Sequence, residues 1–231
     1  MFERTELVIG KDNLKKLNNS SVLVIGLGGV GGYVVETLVR SGVGKIILVD
    51  NDIVDITNFN RQIIAISSTI GKSKVDAMED RIKSINPICN VVKYREYILP
   101  NNIDILFKEK VDFIVDACDT IVTKKAIIQE CLKRNIPFIS SMGTGNKTNP
   151  LKFKIVDIRK TNYDPIAKII RKMVKEERIK GKIPVVCSDE APIKNKQIGS
   201  LMHVVATSGL LCASYVLDRL LGGKIDWKIF Y

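Results

Sequence analysis

Val22-Leu-Val-Ile-Gly26-Leu-Gly28-Gly29-Val-Gly31-Gly32 decides how the rest of the chain is read. Four apolar residues read as a buried parallel strand, which glycines then break. Gly26, Gly28 and Gly31 stand at the G-x-G-x-x-G spacing, and Tyr33 to Arg40 follows as an amphipathic helix. Glycines without Cβ atoms let the turn be tight and let a phosphate approach backbone N–H groups at the helix N-terminus. About nineteen residues after Gly31, a second apolar strand, Ile46 to Val49, ends in Asp50. An acid at that place can accept both hydroxyls of a ribose. Strand, glycine turn, helix and acid together predict a nucleotide site.

The chain has 231 residues, 45% of them hydrophobic, which suits one α/β domain spanning 1–231. Within it we expect an N-terminal arm over 1–19, a nucleotide-binding core over 20–141 and a C-terminal part over 142–231. No apolar run approaches the ~18–20 residues that cross a bilayer. Met1-Phe-Glu-Arg-Thr-Glu carries no basic n-region or apolar h-region, so a cytoplasmic protein without a membrane partner is expected. The five cysteines (Cys89, Cys118, Cys131, Cys187, Cys212) form no C-x-x-C pair, which argues against a disulfide framework and a zinc knuckle. The formal charge of +11 suits a polyanionic partner, although a lysine-rich composition would give the same total.

Along the chain, residues 1–19 read as a leading helix, with Arg4 on an arm free to reach another subunit. A polar loop, Asn51 to Gln62, lies at the ligand-bearing edge of an open parallel sheet. Lys74 opens a helix that runs to Ile85, where a cation gains nothing from the helix dipole. It makes physical sense there if an anion sits in front of it. Strands follow at Val91 to Arg95, Phe113 to Val115 and Pro137 to Ser141, with helices at 101–110 and 122–134. Asp119 falls just past a strand end, where a carboxylate can hold a metal ion against phosphates, whereas Asp116 reads as structural. Repeated strand–helix alternation predicts a mostly parallel sheet of Rossmann-like type with flanking helices.

The C-terminal part reads as a small extension. Lys152 to Asp157 alternates like a strand, and Asp164-Pro165 opens a basic helix. Between Arg159 and Lys182 stand nine basic and three acidic residues, a net of +6 and more than half of the chain's total. No aromatic residue interleaves the run from Lys168 to Lys182, so phosphate contact is expected there rather than base stacking. Ile183 to Cys187 reads as a strand, 195–200 as a loop, and Met202 to Leu221 as a buried core helix in which Gly209 and Ala213 allow close packing. His203, beside that helix, reads as a boundary histidine.

These pieces resemble the ubiquitin-activating-enzyme superfamily of ATP-dependent adenylating enzymes. The match is carried by V-L-V-I-G-L-G-G-V-G, by L-V-D-N-D-x(5)-N-F-N-R-Q, by Ile70-Gly-Lys-Ser-Lys74 and by D-A-C-D, and it covers roughly residues 4 to 141. The resemblance implies that the turn at Gly26, Gly28, Gly29 and Gly31 faces ATP and that Asp50 holds its ribose. It implies nucleotide contacts for Asp52, Asn58 and Gln62, phosphate contacts for Arg61 and Lys74, and Mg²⁺ on Asp119. Arg4 matches an arginine lent across a homodimer interface to the partner's ATP. Three cations and a metal-binding acid suit the chemistry, because a carboxylate attacking phosphorus needs charge neutralisation and alignment more than proton removal.

Within that superfamily, the sulfur-carrier activators typically carry two zinc-binding C-x-x-C pairs, which are absent here, and ubiquitin-type activators need a large cysteine domain. The remaining small branch is that of the tRNA threonylcarbamoyladenosine dehydratases. It is similar in Phe2-Glu-Arg4-Thr5-Glu-Leu7, Ile85-Asn-Pro87, Asp164-Pro165-Ile-Ala-Lys168, Arg171-Lys-Met-Val-Lys175, Val185-Val-Cys187-Ser-Asp-Glu190-Ala-Pro192 and Gly199-Ser200. The resemblance implies ATP-dependent cyclisation of threonylcarbamoyladenosine beside the anticodon. The tRNA carrying it would lie on Lys168, Arg171, Lys172, Lys175 and Arg178. It also admits a sulfur-donor or cysteine-desulfurase partner. The alternative is an adenylyltransferase acting on the C-terminal glycine of a small sulfur-carrier protein. Ring closure needs no nucleophilic thiol, so Cys187 is not expected to be catalytic.

Overall fold

The computed structural model describes residues 1–223, so 224–231 of the expected C-terminal part lie outside the described residues. The strands are β1 (Ser21–Ile25), β2 (Lys45–Val49), β3 (Asn90–Tyr94), β4 (Phe113–Asp116), β5 (Phe138–Ser141), β6 (Phe153–Asp157) and β7 (Pro184–Ser188). They form one sheet in the order β3-β2-β1-β4-β5-β7-β6, parallel throughout except for β6, which runs antiparallel to β7. The C-terminal part therefore extends the same sheet. β1 pairs with β2 on one side and with β4 on the other, so the chain changes direction of winding at β1. Open α/β sheets bind ligands at the carboxyl ends of the strands at such a point.

Alternation along the strands feeds two cores. Val22, Val24, Ile46, Leu48, Phe113 and Val115 face one side, and Leu23, Ile25, Ile47, Val49 and Ile114 face the other. On the first side lie α3 (Gly31–Arg40), α4 (Lys74–Ile85) and α7 (Met202–Leu220). α7 lies against α3 so closely that a Cβ at Gly209 would come 2.5 Å from the Val30 carbonyl oxygen, as its small residues predict. On the second side lie α5 (Ile121–Arg134) and α6 (Pro165–Glu176).

Three local expectations are corrected. The arm is not one helix: Gly10, at φ +81°, separates α1 (Glu3–Ile9) from α2 (Lys11–Asn18). The helix expected over 101–110 is a short 3-10 stretch, Ile103–Phe107. The basic run does not form one helix either, because α6 ends at Glu176 and Arg178 sits at φ +51° in the turn beyond it. Among the described residues no helix is long and apolar enough to cross a membrane.

Candidate active site

The glycine turn leaves β1 with Gly26 at φ +84°, and a Cβ there would meet the Ala117 carbonyl oxygen at 2.7 Å. A Cβ at Gly31 would lie 1.7 Å from the Gly26 carbonyl oxygen, and one at Gly29 would lie 2.9 Å from Val205 Cγ2. These three glycines serve the turn's own packing. Gly28 is different: a Cβ there has nothing nearer than Gln62 Nε2 at 3.9 Å. The space above it is open, so the backbone there faces the cavity without a side chain in the way.

That space belongs to a cavity of about 1310 Å³ at the carboxyl ends of the strands. Its walls bring together Gly26, Gly28, Gly29, Asp50, Asp52, Asn58, Arg61, Gln62, Lys74 and Asp119. Gly31 lies just behind, as the first residue of α3. The Asp50 carboxylate accepts from Leu27 N at 2.6 Å and from Asp52 N at 2.8 Å, so it braces the glycine turn. Each oxygen keeps a further lone pair for a hydroxyl donor. Lys74 is only 5% exposed at the start of α4 and donates to Asp52 Oδ2 at 2.8 Å. The anion expected in front of it is thus partly supplied by the chain itself, and the ammonium retains donors for a second.

Arg61 donates through Nη1 to Thr57 O at 2.9 Å and to Asn60 Oδ1 at 3.0 Å, which leaves Nε and Nη2 for an anion. Asn58 is turned inward: its Oδ1 accepts from Asp55 N at 3.1 Å and closes a capping box with Asp55. Its first task is to shape the loop that presents Arg61. Gln62 is buried along the wall, with Oε1 lacking a partner among the described residues. Asp119 stands exposed on the turn after β4, with no hydrogen bond or ion pair among the described residues. Among the described residues no cluster of three or more His, Cys, Asp or Glu side chains is placed to hold a metal. A single carboxylate fits Mg²⁺ that is bound chiefly by phosphate oxygens and water.

Beneath Asp119 lies a pair that sequence reasoning missed. Asp116 and Lys124 are fully buried at 2.9 Å, Ser140 Oγ donates to the same carboxylate, and Cys118 N donates to its other oxygen at 3.2 Å. Burial works against the Lys124 ammonium, but the facing Asp116 outweighs it and holds the lysine above its usual range. The pair fixes the turn that displays Asp119. A lysine inside an amphipathic helix carries no sequence mark of such burial. The only available signal was the acid at a strand end, eight residues earlier.

At the other end of the cavity, Lys147 and Asp164 form a second buried pair at 2.7 Å, each side chain 1% exposed. Lys147 also donates to Gly143 O at 2.6 Å, and Asp164 caps α6 by accepting from Ala167 N at 2.9 Å. The loop after β5 is thereby tied to the start of the basic helix. Glu190 accepts from Thr148 N, Thr148 Oγ1 and Asn149 N. Burial pushes its pKa up, but those donors win and hold it below the usual carboxylate value. Cys187 is enclosed in β7, and burial, reinforced by Asp164, pushes its thiol up to about 12. Such a thiol is protonated at neutral pH and is a poor nucleophile. His203, exposed at the start of α7, lies 3.3 Å from Thr148 O.

On α6, Lys168, Lys172 and Lys175 are exposed, and Arg178 is exposed beyond the helix end. Arg171 departs from the expected set. It is half-buried, with Nη1 donating to Thr161 O at 2.9 Å and to Thr161 Oγ1, so it anchors the helix to the preceding loop. Arg4 is exposed on α1 and does not line the cavity of its own chain.

The model of the ThiF family matches residues 2–226. The chain belongs to the ThiF family. It is similar to the tRNA threonylcarbamoyladenosine dehydratase of Bacillus subtilis, 51% identical over 192 residues that span 83% of this chain and 76% of that protein. The Haemophilus influenzae protein of the same name is 34% identical, over 92% of this chain and 90% of its own length. The crystal structure of the Escherichia coli tRNA N6-threonylcarbamoyladenosine dehydratase in complex with ATP superposes with a TM-score of 0.91 at 32% identity, covering 95% of this chain and 93% of that one. The same E. coli enzyme in complex with AMP gives a TM-score of 0.90 at 31% identity.

Proposed function

We propose that this chain uses ATP to activate the carboxylate of threonylcarbamoyladenosine in tRNA, and that the neighbouring ureido group then closes a ring with net loss of water. The observation that carries this reading is the cavity itself. It sets the open backbone at Gly28 beside Lys74, Arg61 and Asp119, in a chain half identical to a dehydratase of that name.

In the reaction, a carboxylate oxygen of the substrate forms a bond to the α-phosphorus of ATP, and pyrophosphate leaves with the electron pair of the broken P–O bond. The tethered ureido group attacks the resulting acyl carbon, AMP departs, and the ureido proton passes to solvent. AMP bound to the E. coli relative supports this bond choice over cleavage at the γ-phosphate. Arg61 and Lys74 draw negative charge from the triphosphate, so that an anionic nucleophile can approach. The Asp50-braced turn holds the nucleotide, and Asp119 would hold Mg²⁺, which neutralises phosphate charge. No base is required for the first step, and intramolecular attack makes the second fast. The reaction as written moves no sulfur, so its balance calls for no sulfur donor.

Exposed Lys168, Lys172 and Lys175 on α6, with Arg178 in the turn beyond it, grip tRNA phosphates, and the cap and first residues of that helix, Asp164 to Ile166, line the cavity. Arg4 acts in trans in a homodimer, and the protein works in the cytoplasm with its tRNA. The test is incubation with ATP and tRNA bearing threonylcarbamoyladenosine, followed by nucleoside mass spectrometry. A nucleoside lighter by one water, with AMP formed in equal amount, supports the reading. An acyl-adenylate on a sulfur-carrier protein, with the nucleoside unchanged, overturns it.

A further inference from the structure

The segment 193–199 forms a strap with no regular secondary structure along one wall of the cavity, where Ile193, Lys194, Asn195 and Ile198 line it. Its two ends are gathered at one residue. Ile193 N donates to Asn146 O at 2.7 Å, Asn146 N donates to Gly199 O at 2.8 Å, and Gly199 N donates to Asn146 Oδ1 at 2.7 Å. Asn146 adopts φ +57° to make all three bonds, a left-handed conformation that asparagine tolerates. Gly145, beside it, has no side chain because Ile198 Cγ2 would lie 2.5 Å from its Cβ.

The strap has one further fastening, and it comes from the nucleotide side. Asn60 Nδ2 donates to Ser200 O at 3.0 Å, while Asn60 Oδ1 accepts from Arg61 Nη1 at 3.0 Å. One amide thus bridges the phosphate-facing guanidinium and the foot of the strap. Arg61 has free donors for a phosphate while Nη1 stays on Asn60. An anion that fixes Arg61 therefore fixes Asn60, and the strap is then pinned at a smaller entropic cost.

We propose that Asn60 is a positioning residue that couples nucleotide binding at Arg61 to the placement of the strap against the tRNA substrate. This rests on the function proposed above. Linkage makes the coupling reciprocal: ATP tightens tRNA binding by the same factor as tRNA tightens ATP binding. One exposed hydrogen bond limits that factor to about three- to tenfold.

The experiment measures the dissociation constant of tRNA bearing threonylcarbamoyladenosine with and without α,β-methylene-ATP, for the full-length wild type, Asn60→Asp and Asn60→Ala. The readout is the ratio of the two constants, in which any change in tRNA affinity alone cancels. Asn60→Asp keeps an acceptor for Arg61 but cannot donate to Ser200 O, so it separates the bridge from the arginine contact. The expected result is a ratio of about three to ten in the wild type and below about two in both variants. A ratio near one in the wild type, or the wild-type ratio retained in Asn60→Asp, overturns the proposal. Wild-type protein that binds this tRNA and forms the cyclised nucleoside while showing either result leaves the function standing and removes only the coupling. Failure to form that nucleoside removes both.

Discussion

Two glycines of the same turn answer to different demands, and substitution can tell them apart. The Cβ of Gly31→Ala would sit 1.7 Å from a backbone oxygen, whereas that of Gly28→Ala would sit 3.9 Å from its nearest neighbour. Gly31→Ala is therefore expected to lose more than about 3 kcal/mol of stability, because backbone has to move. Gly28→Ala should keep the thermal midpoint within about 2 °C of wild type and weaken ATP binding at least tenfold, since the methyl projects only into space meant for a ligand. Thermal unfolding alongside calorimetric titration with ATP checks both, and an ATP affinity unchanged by Gly28→Ala would remove the nucleotide from this turn. For Arg61→Ala, loss of one phosphate-facing charge is expected to slow turnover by about a hundredfold or more with unfolding unaffected, read from single-turnover kinetics. Near wild-type turnover would show that the guanidinium faces no phosphate. The residues that line the cavity were legible at this scale because a phosphate site, if built here, needs glycine, lysine and arginine at fixed spacing. Asn58 was only half legible: an asparagine can serve the ligand or its own loop, and here Oδ1 serves Asp55.

Among the elements, the parallel strands were legible because burial on both faces demands continuous apolar runs, as in β1, where all five residues are buried. The break at Gly10 and the end of α6 were not, since neither charge nor periodicity marks where the backbone turns left-handed. Nor were the buried pairs, whose members stand eight and seventeen residues apart, because nothing in a lysine's local pattern marks it as buried. Lys147 and Asp164 show what such a pair does: it joins the β5 loop to the cap of α6. Lys147→Met alone should cost about 3–5 kcal/mol by leaving a buried carboxylate unpaired. Combined with Asp164→Asn, which still caps the helix, it should cost less than the two single changes added together, as denaturant unfolding of the four proteins will show. Simple additivity would mean that the two groups act independently. The enclosed thiols set an alkaline limit. Cys187 and Cys131 are each pushed up to about 12 by burial, above the ordinary thiol value of 9.0. With the folded value raised, this contribution is whole below pH 9.0 and is lost as pH climbs toward 12. Stability should therefore fall above that lower bound by roughly 1.4 kcal/mol per pH unit per thiol. Cys187→Ala should make the decline shallower, and an unchanged slope would show that this thiol ionises equally well in both states.

The charge of +11 was legible as a total but not as a surface, because sequence does not say which cations point outward. Arg171 is spent on Thr161, while Lys168, Lys172 and Lys175 are exposed. Changing those three lysines to alanine should reduce the slope of log affinity for tRNA against log salt by about two to three, with the ATP affinity of the free protein retained. The arm poses the last question of scale. α1 has no buried residue, Leu7 and Val8 are 86% and 84% exposed, and Arg4 on the same helix reaches no part of its own cavity. A helix of this kind makes sense if a second copy covers its apolar side and receives the guanidinium. Mixing inactive Arg4→Ala with inactive Arg61→Ala separates the possibilities. In a mixed dimer, the subunit with intact Arg61 receives intact Arg4 from its neighbour and works, whereas the other site lacks both. With random pairing half of the dimers are mixed, each with one working site, so about a quarter of wild-type turnover should return. An arginine acting within its own chain would restore none. Each mixed subunit would then still lack one of its two cations, and the trans assignment of Arg4 would be lost even if the dimer itself were seen by sedimentation.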